Sequence, residues 1–298
     1  MYNKDVNSSY EVIIFGKNSN IGAAIVKSFS KEGARLRSFG SQECNFLKRE
    51  DCVRFLKKLS PEEPCSIVFL SVISKWLRND YESLLENMAM VNNFIAAQSY
   101  INVKQIIYFS SVDVYGTSPV LPISEETKID PDTWFGLAKY CCEWELRHSP
   151  LIKCPLTVLR IPGVYGNPHN DRSAVSKFIY DIKDKGRVEI SGSGAILRDY
   201  IHTQDVVRML KLLIQRPYNG TLNLTTGISN SLLEIVEIIK RIVPDQFEVT
   251  HKPSDLKREF NLSFDISKLK SLFPELKFMN LESGILSYLD EVKIKEKL

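Results

Sequence analysis

The chain has 298 residues, 44% of them hydrophobic and 25% charged, which supplies apolar material for one large core or two modest ones in an ordinary globular protein. Its 39 basic and 36 acidic side chains are spread along the chain and leave a net charge of only +3, too even for a nucleic-acid surface, and no DNA- or RNA-binding motif accompanies it. The longest apolar run, from Ser66 to Ser74, is far too short to span a membrane, and residues 1–10 lack the apolar segment of a secretion signal.

Six cysteines (44, 52, 65, 141, 142 and 154) form no CxxC pair and no metal-ligand spacing with the four histidines. Reduced cysteines in a cytoplasmic protein, with no metal, are therefore expected.

From residue 11 to about 160, short apolar runs alternate with helical patterns, the signature of a parallel sheet with crossover helices. The expected strands are Glu11–Phe15, Arg35–Phe39, Ser66–Leu70, Gln105–Phe109 and Leu156–Arg160, with helices over Ile21–Lys31, Asp51–Leu59, Tyr81–Tyr100 and Phe135–His148. This is the pattern of a doubly wound α/β fold of the Rossmann type, whose ligands bind beyond the carboxyl ends of the strands. After Gly163 the rhythm loosens into a loop at 166–173, a helix near Ser173–Lys185 and a short strand at Arg187–Ile190. Val206–Gln215 and Thr221–Leu224 are expected to return to the main sheet. The resulting division is a dinucleotide-binding domain of residues 1–163 plus about 203–225, and a smaller substrate domain of 164–202 and 226–298. The charged tail, EVKIKEKL, reads as a solvated terminus.

The first strand runs into Gly16, Lys17, Asn18, Ser19, Asn20, Ile21 and Gly22, and then into a helix. In the pattern G-x-x-G-x-x-G, glycines let the backbone approach a pyrophosphate at a helix N-terminus. Ser19 stands at the middle glycine and adds a side chain at a tight place, so a displaced loop or weaker binding is expected. The second strand ends in Phe39, Gly40 and Ser41, with no carboxylate for ribose hydroxyls. A 2′-phosphate would meet no repulsion there and could be held by Lys17, Arg37 or Ser41, so NADP(H) is expected ahead of NAD(H). Arg35 and Arg37 also suit a solvated strand face.

Residues 110–116 read Ser110, Ser111, Val112, Asp113, Val114, Tyr115 and Gly116, and 24 residues after Ser111 comes Phe135-Gly136-Leu137-Ala138-Lys139 at the start of an amphipathic helix. Positions 135 and 139 share one helix face. This layout resembles the catalytic segment of the extended short-chain dehydrogenases/reductases, the NAD(P)-dependent epimerase/dehydratase family, which carries Ser or Thr and then Tyr-x-x-x-Lys. Here the tyrosine position is Phe135. In the family pattern the tyrosine gives a proton to the alkoxide left by hydride transfer, helped by the lysine, whereas phenylalanine has no proton to give.

The resemblance extends along most of the chain. Gln42 to Asp51, directly after strand two, and Glu86 to Ala97 resemble segments of the nucleotide 4-keto-6-deoxysugar reductases such as GDP-fucose synthase and dTDP-4-dehydrorhamnose reductase. Leu159 to Gly166 resembles the stretch beneath the nicotinamide, and Gly192 to His202 the G-x-G-x-x-x-R-[DE] stretch whose arginine holds a diphosphate.

The resemblance implies catalytic positions Ser111, Phe135 and Lys139. It implies a cofactor site of Gly16, Asn18, Ser19, Asn20, Ile21, Gly22, Ser41, Asn45, Phe46, Leu70, Ser71, Asn87, Lys139, Ile161 and Val164, and substrate contacts from Ser111 and Arg198. It further implies a nucleoside-diphosphate sugar as substrate, a homodimer and a place in sugar or surface-polysaccharide biosynthesis. His202 reads as a packing residue. Val112 and Asp113 stand where dehydratases carry adjacent Asp and Glu, so the elimination pair is incomplete.

Reduction of a 4-keto group is the leading expectation, with 4-epimerisation as the alternative. Three readings of Phe135 stay open. It is a Tyr-to-Phe change introduced into an active enzyme, a natural variant that draws its proton from Ser111, a water or the substrate, or the mark of a protein that binds without turnover.

Overall fold

The computed structural model describes residues 11–59, 63–168, 171–243, 247–254 and 260–292. The polar first ten residues and all of the charged tail except Glu291 and Val292 lie outside the described residues.

In chain order the elements are β1 (Glu11–Phe15), α1 (Asn20–Lys31), β2 (Leu36–Phe39), α2 (Arg49–Leu59), β3 (Cys65–Phe69), α3 (Tyr81–Gln98), β4 (Val103–Ser111), α4 (Trp134–His148) and β5 (Leu156–Ile161). There follow β6 (Gly163–Tyr165), α5 (Ala174–Lys185), β7 (Arg187–Ser191), β8 (Arg198–His202), α6 (Thr203–Gln215), β9 (Gly220–Asn223), β10 (Ser229–Asn230), α7 (Leu232–Ile242), β11 (Glu248–Lys252), α8 (Ser267–Leu272) and α9 (Leu281–Glu291). Two compact units share the chain: Met1–Gly116 with Lys128–Arg160 and Leu210–Leu222, and Thr117–Thr127 with Ile161–Met209 and Asn223–Leu298. This division puts 117–127, 161–163, 203–209 and 223–225, which the sequence assigned to the dinucleotide domain, with the second unit.

A six-stranded sheet in the order β2-β1-β3-β4-β5-β9 dominates the first unit, and the pairs β1–β2, β1–β3 and β3–β4 are parallel. Every residue of β1 (EVIIF) and β3 (CSIVF) is buried, as strands covered by helices on both faces must be. The chain winds outward from β1 to β2 on one side and from β3 to β5 on the other. The switch point, where such sheets hold ligands, thus falls between the carboxyl ends of β1 and β3. As expected, segment 221–224 supplies a strand of this sheet, β9. The fourth strand runs two residues beyond its expected end, which makes Ser111 its last residue.

The core of this unit is an aromatic cluster. Phe15 meets Phe46 edge-on at 5.0 Å, Phe69 lies 4.6 Å from Phe94, and Phe46 lies 5.1 Å from Phe69. Such pairs add about 0.5–1.5 kcal/mol each beyond area burial, and they lock β1, β3, α3 and the segment after β2 together.

The second unit has a three-stranded sheet, β10-β8-β6, and the parallel pair β11–β7. Its core gathers Val175, Phe178, Ile190, Ile235, Ile239, Ile285 and Tyr288. Among the described residues no helix is long and apolar enough to cross a membrane, and no group of three or more His, Cys, Asp or Glu is placed to hold a metal ion.

Phe94 is fully buried at the centre of the aromatic cluster. Phe94→Ala is expected to destabilise the protein by about 3–5 kcal/mol, read as a lowered urea midpoint; a midpoint within error of the parent's contradicts this view of the core.

Candidate active site

The phosphate loop is built at the carboxyl end of β1. Gly16 adopts φ +104°, and a Cβ there would lie 2.9–3.0 Å from Leu70 and the Ser71 nitrogen, so only glycine lets the ends of β1 and β3 approach this closely. Ser19 caps α1: its Oγ accepts from the Gly22 N–H at 3.0 Å and donates to the Gly16 carbonyl at 2.8 Å. A Cβ on Gly22 would come within 2.2 Å of that same carbonyl.

The expectation that Ser19 crowds the loop is answered by its backbone, an ordinary extended conformation (φ −72°, ψ 160°), with its hydroxyl turned back as a cap. The 12-residue α1 has no carboxylate in its first turn. Its N-terminal N–H groups, in Asn20 and Ile21, and its dipole therefore suit a pyrophosphate. A dinucleotide fits these residues.

The catalytic segment closes on itself at the end of β4. Ser111 is 9% exposed, and its Oγ accepts from the Asp113 N–H at 3.1 Å, opening the 3-10 turn Val112–Tyr115. Thr133 caps α4 through the Gly136 N–H at 3.0 Å. A Cβ on Gly136 would lie 2.5 Å from the Asp113 carbonyl, so α4 begins directly against the serine turn. Lys139, buried, donates to the Phe109 carbonyl at 2.6 Å, and its Nζ lies 5.7 Å from the centre of the Phe135 ring. Burial pushes its ammonium down to about 8, while Cys142 and Glu143 pull the other way. Ser111, Phe135 and Lys139 are thus brought together at one strand end.

A buried ion pair braces this arrangement. Glu143, one turn beyond Lys139, accepts from Arg160 Nε at 3.0 Å and Nη2 at 2.7 Å and from Ser110 Oγ at 2.5 Å. Arg160 Nη1 donates to the Tyr115 hydroxyl at 2.8 Å. Both charges are hydrogen-bonded on several sides, the condition under which burying them is tolerated. The Tyr115 hydroxyl is held in this brace.

The loop between β3 and α3 crosses the same region and supplies residues that sequence reasoning missed. Asn87 accepts from the Ile73 N–H at 2.8 Å and donates to the Ile73 carbonyl at 3.1 Å. It therefore braces this loop. Asn79 Oδ1 accepts from the Phe135 N–H at 2.9 Å, and Lys75 pairs with Asp113 at 2.6 Å, its Nζ lying 5.9 Å from the centre of the Phe135 ring. No motif marks Lys75 or Asn79, because their partners lie far away in sequence.

Around the end of β2 the structure corrects the reading in two respects. Glu43 places a carboxylate there, accepting from the Gly40 N–H at 2.9 Å and paired with Lys17. The Lys17 bond, then the Gly40 N–H, holds this carboxyl below its ordinary range. Arg37 is engaged by Glu11 and by the Leu59 carbonyl at 2.8 Å. Neither cation offered for a 2′-phosphate is uncommitted. Phe46, expected beside the cofactor, has its ring in the aromatic core. Asn45 bonds to the Leu47 N–H at 3.0 Å, and Ser41 is exposed.

In the second unit, Arg198 Nη1 donates to the Leu197 and Phe260 carbonyls at 2.8 and 2.5 Å, and its guanidinium lies 4.3 Å from the centre of the Phe260 ring. Asp199 accepts from Thr226 and Gly227 and ties down the turn after β9. Its carboxyl is raised to about 6 by burial. His202 is buried edge-on against Tyr165 at 5.1 Å, with its imidazole pushed down to about 4, first by burial. It is a packing residue. Ile161 and Val164 lie at the end of β5 and in the middle of β6.

The model of the NAD dependent epimerase/dehydratase family matches residues 12–225. The chain belongs to this family. Gly16, Ser111, Phe135, Lys139 and Arg198 all fall inside the matched span. Among curated relatives of this chain, a GDP-L-fucose synthase of Sinorhizobium fredii is 23% identical over 83% of this chain and 85% of its own length. Among solved structures, UDP-glucose 4-epimerase of Thermotoga maritima with UDP-glucose superposes with a TM-score of 0.83 at 22% identity, covering 96% of this chain and all of that one. A GDP-6-OMe-4-keto-L-xylo-heptose reductase from C. jejuni has a TM-score of 0.79 at 21% identity, over 96% of this chain and 98% of that one. These likenesses establish the mostly parallel Rossmann-like fold.

Lys139 costs the fold stability because its ammonium is buried. The folded value of about 8 lies below the 10.5 of an exposed lysine, so the folded state binds fewer protons than the unfolded one between those limits. Stability should therefore rise with pH across that window. Lys139→Met is expected to abolish this rise between about pH 8 and 10.5, as followed by urea denaturation at both ends of the window; a variant whose stability still rises as the parent's does contradicts this.

Proposed function

We propose that this chain reduces the 4-keto group of a nucleoside-diphosphate hexose with a nicotinamide cofactor held at the β1/β3 switch point. The observation that carries this reading is the convergence of Ser111, Lys139 and the Phe135 ring at the end of β4, in a chain of the epimerase/dehydratase family. The bound cofactor supplies the hydride. Gly16, Ser19, Gly22 and the N-terminus of α1 seat its pyrophosphate, Lys139 holds the nicotinamide ribose, and Ser111 bonds the sugar oxygen.

Reduction is favoured over epimerisation by what stands at position 135. An epimerase must first take a proton from a sugar hydroxyl, for which neither phenylalanine nor a charged ammonium is a base, whereas reduction needs only a donor, which an ammonium can be. Two lysine ammonium groups flank that ring. The first unit is read as the dinucleotide domain and the second as the nucleotide-sugar domain, with Arg198 binding the diphosphate. The exposed rings of Tyr81 on α3 and of Trp134 and Trp144 on α4 suit a homodimer contact.

The test is loss of reduced-cofactor absorbance with GDP- and dTDP-linked 4-keto-6-deoxyhexoses. Turnover is expected with at least one of them, and Ser111→Ala should lower kcat by about 10²–10³-fold. Stabilisation by these sugars without any cofactor oxidation would make the protein a binder.

For the cofactor we favour NAD(H). Glu43 presents a negative charge beside Gly40, and Lys17 and Arg37 are engaged elsewhere. NADH should bind about three- to tenfold more tightly than NADPH, a small margin because the carboxylate is exposed. Glu43→Ala should narrow the gap; tighter NADPH binding by the parent chain rejects this assignment.

A further inference from the structure

We propose that Lys75 is the proton donor of this site, standing in for the hydroxyl that Phe135 lacks. The inference rests on the reductase reading above. Its basis is the pair of ammonium groups against the Phe135 ring, Lys139 at 5.7 Å and Lys75 at 5.9 Å from the ring centre.

The two lysines are placed for different tasks. Lys139 is 5% exposed and committed to the Phe109 carbonyl, which suits a holder of ribose. Lys75 has a side chain 36% exposed, so water can return a proton to it.

Its position is fixed from three directions. Two residues before it, Ile73 is clamped through both backbone groups by Asn87. Four residues after it, Asn79 bonds the Phe135 N–H. Between these pins Asp113 Oδ2 holds the Lys75 ammonium at 2.6 Å, and the Asp113 N–H donates to Ser111 Oγ at 3.1 Å. Serine and ammonium therefore hang on one turn. Asp113 stands where dehydratases carry the Glu of their elimination pair, and here that carboxylate holds the Lys75 ammonium in place.

The step balances. A hydride, with its two electrons, comes from the reduced nicotinamide cofactor and forms the new bond at the sugar carbon. The carbonyl π pair moves onto oxygen, and a Lys75 N–H bond breaks to give that oxygen its proton. Solvent returns the proton to the amine, and Asp113 again stabilises the cation.

Two experiments decide the matter. The first needs neither cofactor nor substrate: the phenol introduced by Phe135→Tyr is titrated by difference absorbance, with and without Lys75→Met. An ammonium at this place should lower the phenol's ionisation by about one pH unit or more, and an unchanged titration refutes the placement.

The second follows reduced-cofactor oxidation with the 4-keto-6-deoxyhexose panel. Lys75→Met should lower kcat by about 10²–10⁴-fold at unchanged NADH affinity, and adding Phe135→Tyr should restore most of it. A Lys75→Met protein that turns over normally refutes the donor while leaving the reductase reading intact. A loss that Phe135→Tyr does not repair makes Lys75 structural and also refutes it. No oxidation by the parent chain with any of these sugars removes both readings.

Discussion

The site depends on one close approach. Gly136 lies so near the Asp113 carbonyl that a Cβ would sit 2.5 Å from its oxygen. This contact starts α4 against the turn that follows Ser111 and thereby fixes where residues 135 and 139 point. One helical turn then carries Lys139 to the Phe109 carbonyl. A bulkier residue at 136 would lift the helix and separate the serine from the lysine, whatever their own identities.

The charges around this contact fall into two sets with different consequences. Glu143 and Arg160 are almost completely buried, bond to each other, and reach Ser110 and Tyr115, so they hold β4, β5 and α4 in one register. Lys75 and Asp113 are partly open to water and meet at the serine turn, beside the Phe135 ring. The first pair is costly to break because either partner left alone is an uncompensated buried charge. The second pair is within reach of water.

Legibility from sequence followed the range of the interactions. The alternation of apolar runs located all five leading strands within a residue or two, since strand burial is written locally. Ser111 and Lys139 were legible from spacing, and Gly16 and Gly22 from the loop pattern. Lys75 was not, because its role arises from Asp113, 38 residues away. Glu43 was missed for a different reason: the expectation looked for a carboxylate on the last residues of β2, whereas here it folds back from the turn to the Gly40 N–H. Phe46 was placed beside the cofactor by resemblance, while its size and apolarity send its ring into the core.

The phenylalanine leaves the frame of the site standing. Phe135 keeps the ring and loses only the hydroxyl, so the packing of α4 survives while the means of proton delivery changes. In the proposed reading Lys139 orients a ribose, and the donor comes from the neighbouring loop. The most direct test of the central claim, that Ser111 and Lys139 frame a nicotinamide, is a crystal structure with NADH bound. Lys139 Nζ is expected within about 3.2 Å of a nicotinamide-ribose hydroxyl, with the nicotinamide ring beside Ser111; a cofactor whose nicotinamide half lies away from both residues contradicts the claim.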